Sequence, residues 1–192
     1  MEIVQITSPG KIKQFKEEIE KKLNVKITAR GGEAKVEGEP IEEFEASSII
    51  EALDLGFTLK EAMKLTDENI LFRKISIKQF TTKRDMELIR GRIIGTEGKT
   101  KRTIEQISGC AIVVHQSSVG IIGPAEGIEE ATTAIKNLIK GSKQANVYAF
   151  LERMNREQKE KSDLGIKKNK KDEKDEEEEL EDIDLDEDFK NE

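Results

Sequence analysis

Tryptophan is absent from this 192-residue chain, tyrosine, cysteine and histidine occur once each, and proline occurs three times. With 4% aromatic residues, the chain lacks the rings that sheet-face RNA readers and single-strand-binding barrels stack against bases. A lone cysteine and a lone histidine supply no zinc site, disulfide framework or Cys/His relay. The chain reads as a protein of a reducing compartment, the cytoplasm; no metal, cofactor or catalytic residue is among the expectations. No run approaches the roughly 20 apolar residues that a bilayer requires, and Met1 to Gln14 has neither the apolar core nor the small-residue cleavage site of a signal peptide. No membrane partner is expected. At 35% hydrophobic residues, the length suits one medium domain or two small ones, with a helix-rich α+β fold favoured over a large sandwich or barrel.

The formal charge of −7 is unevenly spread. Lys171 to Glu192 carries 14 acidic and 3 basic residues, Met1 to Phe72 carries 15 and 10, and Arg73 to Lys170 carries 11 and 20. Positive charge is thus concentrated in the second half of the body, as in a protein that meets phosphate backbones. The plainer alternative is that Lys and Arg solvate helix faces.

Composition divides the chain into residues 1–68, 69–141, 142–165 and 166–192. The polar breaker Thr66-Asp67-Glu68-Asn69 precedes the apolar run Ile70, Phe72, Ile75, Ile77, which reads as a strand. Val147, Phe150, Leu151 and Met154 form one stripe of a C-terminal helix over Asn146 to Lys161. Beyond it, a basic cluster and then nearly continuous acid cannot bury enough apolar surface to order, so residues 166–192 read as a disordered tail. The two body segments look like copies. A shift of 88 residues sets Gly10-Lys11 on Gly98-Lys99, and a shift of 87 sets Ile41-Glu42-Glu43 on Ile128-Glu129-Glu130. In the second copy, Met86 to Ile94 reads as a helix, Gly95 to Gly98 as a loop, and Lys99 to Ser108 as a helix ended by Gly109. A strand at Ala111 to His115, a tight turn, a strand at Val119 to Ile122 and a helix at Ala125 to Lys140 follow.

The informative segment is Gly91 to Glu105. Two glycines three apart join two helices and let a backbone approach a ligand without Cβ atoms in the way. The N-terminus of the second helix directs free N–H groups and partial positive charge at that spot, to which Lys99, Lys101 and Arg102 add full charges. A nucleic-acid phosphate fits it. Ile93, Ile94 and Ala111 to Val114 offer an aliphatic floor for unstacked bases.

Ile-Ile-Gly-Thr-Glu-Gly-Lys-Thr-Lys-Arg-Thr-Ile-Glu, followed by a hairpin and a helix, resembles a type I KH domain. The flanks Arg-Gly-Arg-Ile-Ile-Gly at Arg90 to Gly95, Thr133 to Gly141 and Val147-Tyr148 resemble the archaeal KH-domain rRNA-processing proteins, whose eukaryotic relatives are the Partner-of-Nob proteins of small-subunit ribosome assembly. The resemblance implies an α+β fold of two tandem type I KH-like units, the first degenerate. It also implies a single-stranded RNA-binding factor acting near the 3′ end of small-subunit (16S) rRNA, with the Nob endonuclease and the α subunit of initiation factor two as partners. Its RNA-binding set is Arg90, Arg92, Ile93, Gly95, Thr96, Glu97, Gly98, Lys99, Lys101 and Arg102. Glu97 is an oddity there, a negative charge where phosphate is expected. The first copy departs from the family because Thr7-Ser8-Pro9-Gly10 lacks the first glycine. Met1 to Ile6 reads as a strand leading straight into a helix capped by Ser8, so this copy reads as a packing or protein-binding module.

Several features admit plainer readings. Gly98-Lys99-Thr100 ends like a P-loop, but Ile93 stands where that motif requires glycine and the preceding segment reads as helix. Cys110 reads as a small core residue and His115 as a structural residue closing a strand. A second function class is open: a protein-binding adaptor for an assembly or initiation factor. The acidic tail is either a solubilising appendage or a phosphate mimic that competes for the basic half. Under the second reading, truncation after Lys171 raises affinity for a scrambled RNA several-fold at low salt, and the gain fades as ionic strength screens the competition over about 10 Å. Equal binding by both lengths at low salt assigns the tail to solubility alone.

Overall fold

Apolar and polar residues alternate from Lys26 to Glu37, and the chain folds there into a hairpin of β2 (Lys26–Arg30) and β3 (Glu33–Glu37) that turns Ile27, Ala34 and Val36 inward. The computed structural model describes residues 1–81, 86–157 and 160. The expected tail, 166–192, lies outside them. Strand β1 (Glu2–Gln5) pairs with the other edge of β3, giving an antiparallel sheet in the order β1-β3-β2. Helices α1 (Pro9–Leu23) and α2 (Pro40–Leu55) contribute Ile12, Ile19, Ile49, Ile50 and Leu53 to the core beside it. A short α3 (Leu59–Ala62) follows, started by a capping box between Thr58 and Glu61.

The second half adds one helix to this plan. Strand β4 (Ile70–Ser76), α4 (Met86–Ile94), α5 (Lys99–Ser108), β5 (Ala111–His115), β6 (Ser118–Pro124) and α6 (Ala125–Lys140) form a sheet in the equivalent order β4-β6-β5. The two halves are therefore KH-type α+β units with three strands each. Helices α4, α5 and α6 and strand β5 begin and end at the residues expected. Strand β6 starts one residue earlier and runs two residues further than expected, ending at Pro124 opposite Ile70.

Strand β4 changes allegiance midway. Ile70 and Phe72 pack on the core of the first half, whereas Ile75 and the following Ile77 are buried in that of the second. The second sheet is accordingly covered on both faces, with Phe72, Ile122, Ala111 and Val113 toward the first half and Ile75, Val119, Ile121 and Ile112 toward α4, α5 and α6. Gly120 marks the closest approach, because a Cβ there would stand 2.3 Å from Leu55 Cδ2 and 2.7 Å from Phe57 Cε2. Phe57 in turn meets Phe72 edge to face at 6.2 Å.

The internal repeat is real, but its register is 85 residues. Helices α2 and α6 each hold 16 residues starting at Pro40 and Ala125, and Ala46, Ile50 and Leu53 are buried where Ala131, Ile135 and Leu138 are. The shift of 87 equates Ile41, 75% exposed, with fully buried Ile128. It follows a chance likeness of side chains and ignores which face of the helix is covered.

Residues Met1–Leu151 form one compact unit, with residues from 144 onward helical. Val147 and Leu151 are buried in the core of the second half and Phe150 packs against it. Residues 152–157, in the separate unit Glu152–Glu192, are helical and carry an Arg153–Glu157 ion pair; Met154, the last residue of the expected stripe, lies there. Cys110 is buried beside β6, and desolvation, with the charge of Glu130 adding to it, pushes its thiol above the usual range, as suits an inert core residue.

The start of α1 differs from the expected cap. Ser8 occupies the cap position with Pro9 in the first turn, but its hydroxyl makes no capping bond. The carboxylate of Asp54, near the end of α2, accepts instead from the N–H of Thr7 at 2.8 Å and of Ser8 at 2.7 Å, and from the Thr7 hydroxyl. An ionised acceptor makes stronger hydrogen bonds than a hydroxyl and carries the charge that a helix N-terminus favours. Asp54→Ala is expected to destabilise the fold by roughly 1–3 kcal/mol in urea unfolding, because it removes the charged acceptor that two backbone donors share. Ser8→Ala is expected to change stability by less than about 0.5 kcal/mol, the ordinary range for a surface substitution.

Candidate nucleic-acid interface

Helix α4 stops where Gly95 turns out of it. The Gly95 N–H donates to the Gly91 carbonyl at 2.7 Å, and Gly95 then takes φ 76° and ψ 173°, a conformation that is essentially glycine's alone. A Cβ at this point would stand 2.2 Å from Thr100 Oγ1 and 2.8 Å from its backbone nitrogen. Thr100 is buried beneath the loop, and its hydroxyl accepts a hydrogen bond at 3.0 Å from Tyr148, which reaches in from the last helix. Gly95 is thus held against the first turn of α5 by packing from behind.

The loop itself is a single 3-10 turn, Thr96–Gly98, in which Glu97 (φ 52°, ψ 25°) and Gly98 (φ 76°, ψ 14°) are both left-handed. Its hydrogen bonds run inward: Gly98 N–H donates to the Gly95 carbonyl, and the Arg102 guanidinium donates to the Glu97 carbonyl. Thr96 and the Glu97 side chain are exposed. Helix α5 begins with no side-chain cap and no acid in its first turn; the Lys99 N–H donates to the Thr96 carbonyl, and the positive end of the helix faces the loop. An open groove beside it is lined by Thr96, Glu97, Lys99, Arg102, Thr103 and Gln106. Lys99 and Arg102 are exposed at its rim; Lys101 lies 3.4 Å from Glu105, whose carboxylate also accepts the Ile112 N–H at 2.8 Å.

Not every residue of the expected set joins this surface. Gly95, Thr96, Glu97, Gly98, Lys99 and Arg102 form the loop and its rim, and Lys101 stands one turn along the helix. Arg92 is committed elsewhere, donating to the Ser142 carbonyl at 2.7 Å and so tying α4 to the segment before the last helix. Arg90 is half-buried on α4. Ile93 has no exposed surface and belongs to the core, whereas Ile94 is 36% exposed. The aliphatic floor is corrected accordingly. Ala111 and Val113 face the first half and Ile112 is buried, which leaves Ile94 with partly buried Ile107 and Val114. His115 is exposed at the end of β5. Residue-level reading did not single out Thr100 or Tyr148, the pair that braces the loop; 48 residues separate them and neither is charged.

The family model described as the eukaryotic type KH-domain (KH-domain type I) matches residues 71–156. A KH domain-containing protein of Methanocaldococcus jannaschii is 32% identical over 151 residues, 75% of this chain and 66% of that protein. The pre-rRNA-processing protein pno1 of Schizosaccharomyces pombe is 35% identical over 115 residues, 58% of this chain and 48% of that protein. This chain thus spans between about half and about two thirds of those relatives' length. A chain of the solved a/eIF2alpha-aDim2p-rRNA complex from Pyrococcus horikoshii is 34% identical and superposes with a TM-score of 0.75, over 81% of this chain and 94% of that one.

The two loop glycines differ in what they require. Gly98 needs only a left-handed backbone, since a Cβ there would come no closer than 3.7 Å to Arg102, whereas Gly95 needs that freedom and the space as well. Gly98→Ala is expected to cost about 1–2 kcal/mol in urea unfolding, and Gly95→Ala a further 1 kcal/mol or more through overpacking against Thr100. Equal losses would mean that the loop relaxes away from Thr100.

Proposed function

Since the chain belongs to the PNO1/Dim2p family of KH-domain proteins, we propose that it is a non-enzymatic, cytoplasmic factor that binds single-stranded RNA during maturation of the small ribosomal subunit, near the 3′ end of 16S rRNA. The observation that carries this reading is the Gly95–Gly98 turn, held by Thr100 and Tyr148 at the open N-terminus of α5. A phosphate at that turn meets the positive end of the helix, with Lys99 and Arg102 at the rim. About four nucleotides are then held by shape and charge, their bases against Ile94 and its aliphatic neighbours. No stacking ring is required. The α subunit of initiation factor two is a proposed partner, supported by the rRNA complex of the Pyrococcus relative. The Nob endonuclease is a second, supported by the family resemblance.

One feature favours an additional role as a protein-binding adaptor. Ile41 and Phe44 are 75% and 67% exposed on α2, at positions where α6 carries the exposed acids Glu126 and Glu129. Large apolar side chains on a helix face open to water mark a surface that a partner covers.

Replacing Thr96 and Glu97 together by Asp tests the RNA assignment. Asp tolerates the left-handed backbone at position 97, and both side chains are exposed, so the melting temperature should stay within a few degrees. Two carboxylates facing the phosphate should lower RNA affinity at least tenfold in a filter-binding titration. Undiminished binding by the folded double variant would overturn the assignment.

A further inference from the structure

We propose that the open edge of β4 takes up an extended, acidic segment of a partner protein as an added strand, with one large apolar side chain of that segment seated against α2. The inference rests on the adaptor reading and deepens it, naming what the apolar surface around Phe44 binds and how. Strand β4 ends the sheet β4-β6-β5, and among the described residues no strand lies beyond it. The equivalent edge of the first half, β1, has four residues, whereas β4 has seven.

The direction of each N–H along β4 follows from its two ends. The Ile70 N–H turns away from β6 to donate to the Asp67 carbonyl at 2.9 Å, and the Ile77 N–H, just past the strand, donates across to the Ser117 carbonyl at 2.8 Å. N–H groups alternate between the two sides of a strand, so those of Leu71, Arg73 and Ile75 face β6 and those of Phe72 and Lys74 face outward. Outward groups at the end of a sheet are a template for another chain.

The side chains beside this edge set the chemistry of the segment. A cavity of about 190 Å³ opens there between Phe44 of α2, Leu71 and Phe72 of β4 and Ile128 of α6. A cavity of about 150 Å³ holds benzene, so this one has room for an aromatic or branched side chain. Leu71 is 46% exposed and continues the apolar surface of Phe44. Arg73 and Lys74, adjacent and exposed, place two cations on the edge against Glu45, the one carboxylate of the cavity lining. Their charge selects acids in the added strand. A second copy of this chain is the poorer occupant, because two paired β4 edges gather four cations along one ladder, where like charges repel. RNA supplies acceptors but no alternating row of donors; an extended peptide supplies both.

The test uses the full chain and a labelled peptide of about nine residues, alternating valine and aspartate around a central phenylalanine and long enough to span β4. Binding is followed by fluorescence anisotropy and by amide hydrogen exchange. The peptide should bind saturably, and N-methylation of alternate backbone nitrogens or exchange of its aspartates for lysines should lower affinity about tenfold or more. Bound peptide should slow exchange of the Phe72 and Lys74 amides about tenfold or more and leave those of Leu71 and Arg73, already in the ladder, unchanged. Phe44→Ala should weaken binding roughly tenfold. Lys74→Pro, which removes an outward N–H and spares the ladder to β6, should cost roughly tenfold where Lys74→Ala costs about twofold. Should Lys74→Pro not fold, the methylated peptide and the exchange data decide. Absence of binding, or binding without protection of the Phe72 and Lys74 amides, would overturn the proposal. If an amphipathic helical peptide binds instead and depends on Phe44, the adaptor reading stands and this one falls; if neither peptide binds, both fall. Protection of the two amides by oligouridylate, or by raising the concentration of the chain alone, would assign the edge to RNA or to a second copy and overturn the proposal as well.

Discussion

A carboxylate that reaches out of its helix to accept a strand N–H seven residues further along sets the geometry of both halves. Glu20 does this for Ile27 and Glu105 for Ile112. Each of those N–H groups lies on the outer edge of a sheet, where no neighbouring strand can take it, so without the carboxylate it would depend on water. A hydrogen bond to a charged acceptor contributes about 1.5–3 kcal/mol, enough to fix the helix beside the edge strand. The turn between them follows, since Asn24 and Gly109 must both end their helices in the left-handed conformation to bring the chain back within reach.

The second half was largely legible in the sequence because its punctuation is strong. Gly95, Gly98 and Gly109 delimit segments too short to be read otherwise, and the KH-like fold was implied by the resemblance that their surroundings carry. Register was harder. Aligning the copies on Gly10 and Gly98 matched a residue required by one loop with one that has no such role, since a Cβ at Gly10 would meet nothing within 4 Å. The core-facing positions of α2 and α6 carry the true register, and they are visible only when burial is known. Ile93 and Ile94 illustrate the same gap. Adjacent isoleucines at a helix end are indistinguishable in sequence, but the rotation of about 100° between neighbours sends the first into the core and leaves the second exposed.

Long-range polar contacts were the least legible of all. Arg92 sits among the loop residues in sequence, yet its guanidinium is spent on the Ser142 carbonyl, 50 residues away. Tyr148 and Asp54 act over similar separations. Pattern reading has no access to such pairs, because neither partner stands out locally and only the packed fold brings them together.

The same physics distinguishes the two helix N-termini. Backbone N–H groups ahead of a helix, reinforced by its dipole, attract an anion wherever they converge. In the first half Asp54 supplies that anion from within the chain, at a local concentration no free ligand matches, and the donors become part of the fold's own stability. In the second half the loop instead carries a glycine in a conformation other residues avoid and a glutamate in the left-handed region, strain of about 1–3 kcal/mol that the core beneath must offset. Thr100, Tyr148, Val147 and Leu151 provide that support from behind. The extra helix α4 and its glycine loop therefore do more than add charge. They place the positive end of α5 at the surface, with Lys99 and Arg102 exposed beside it.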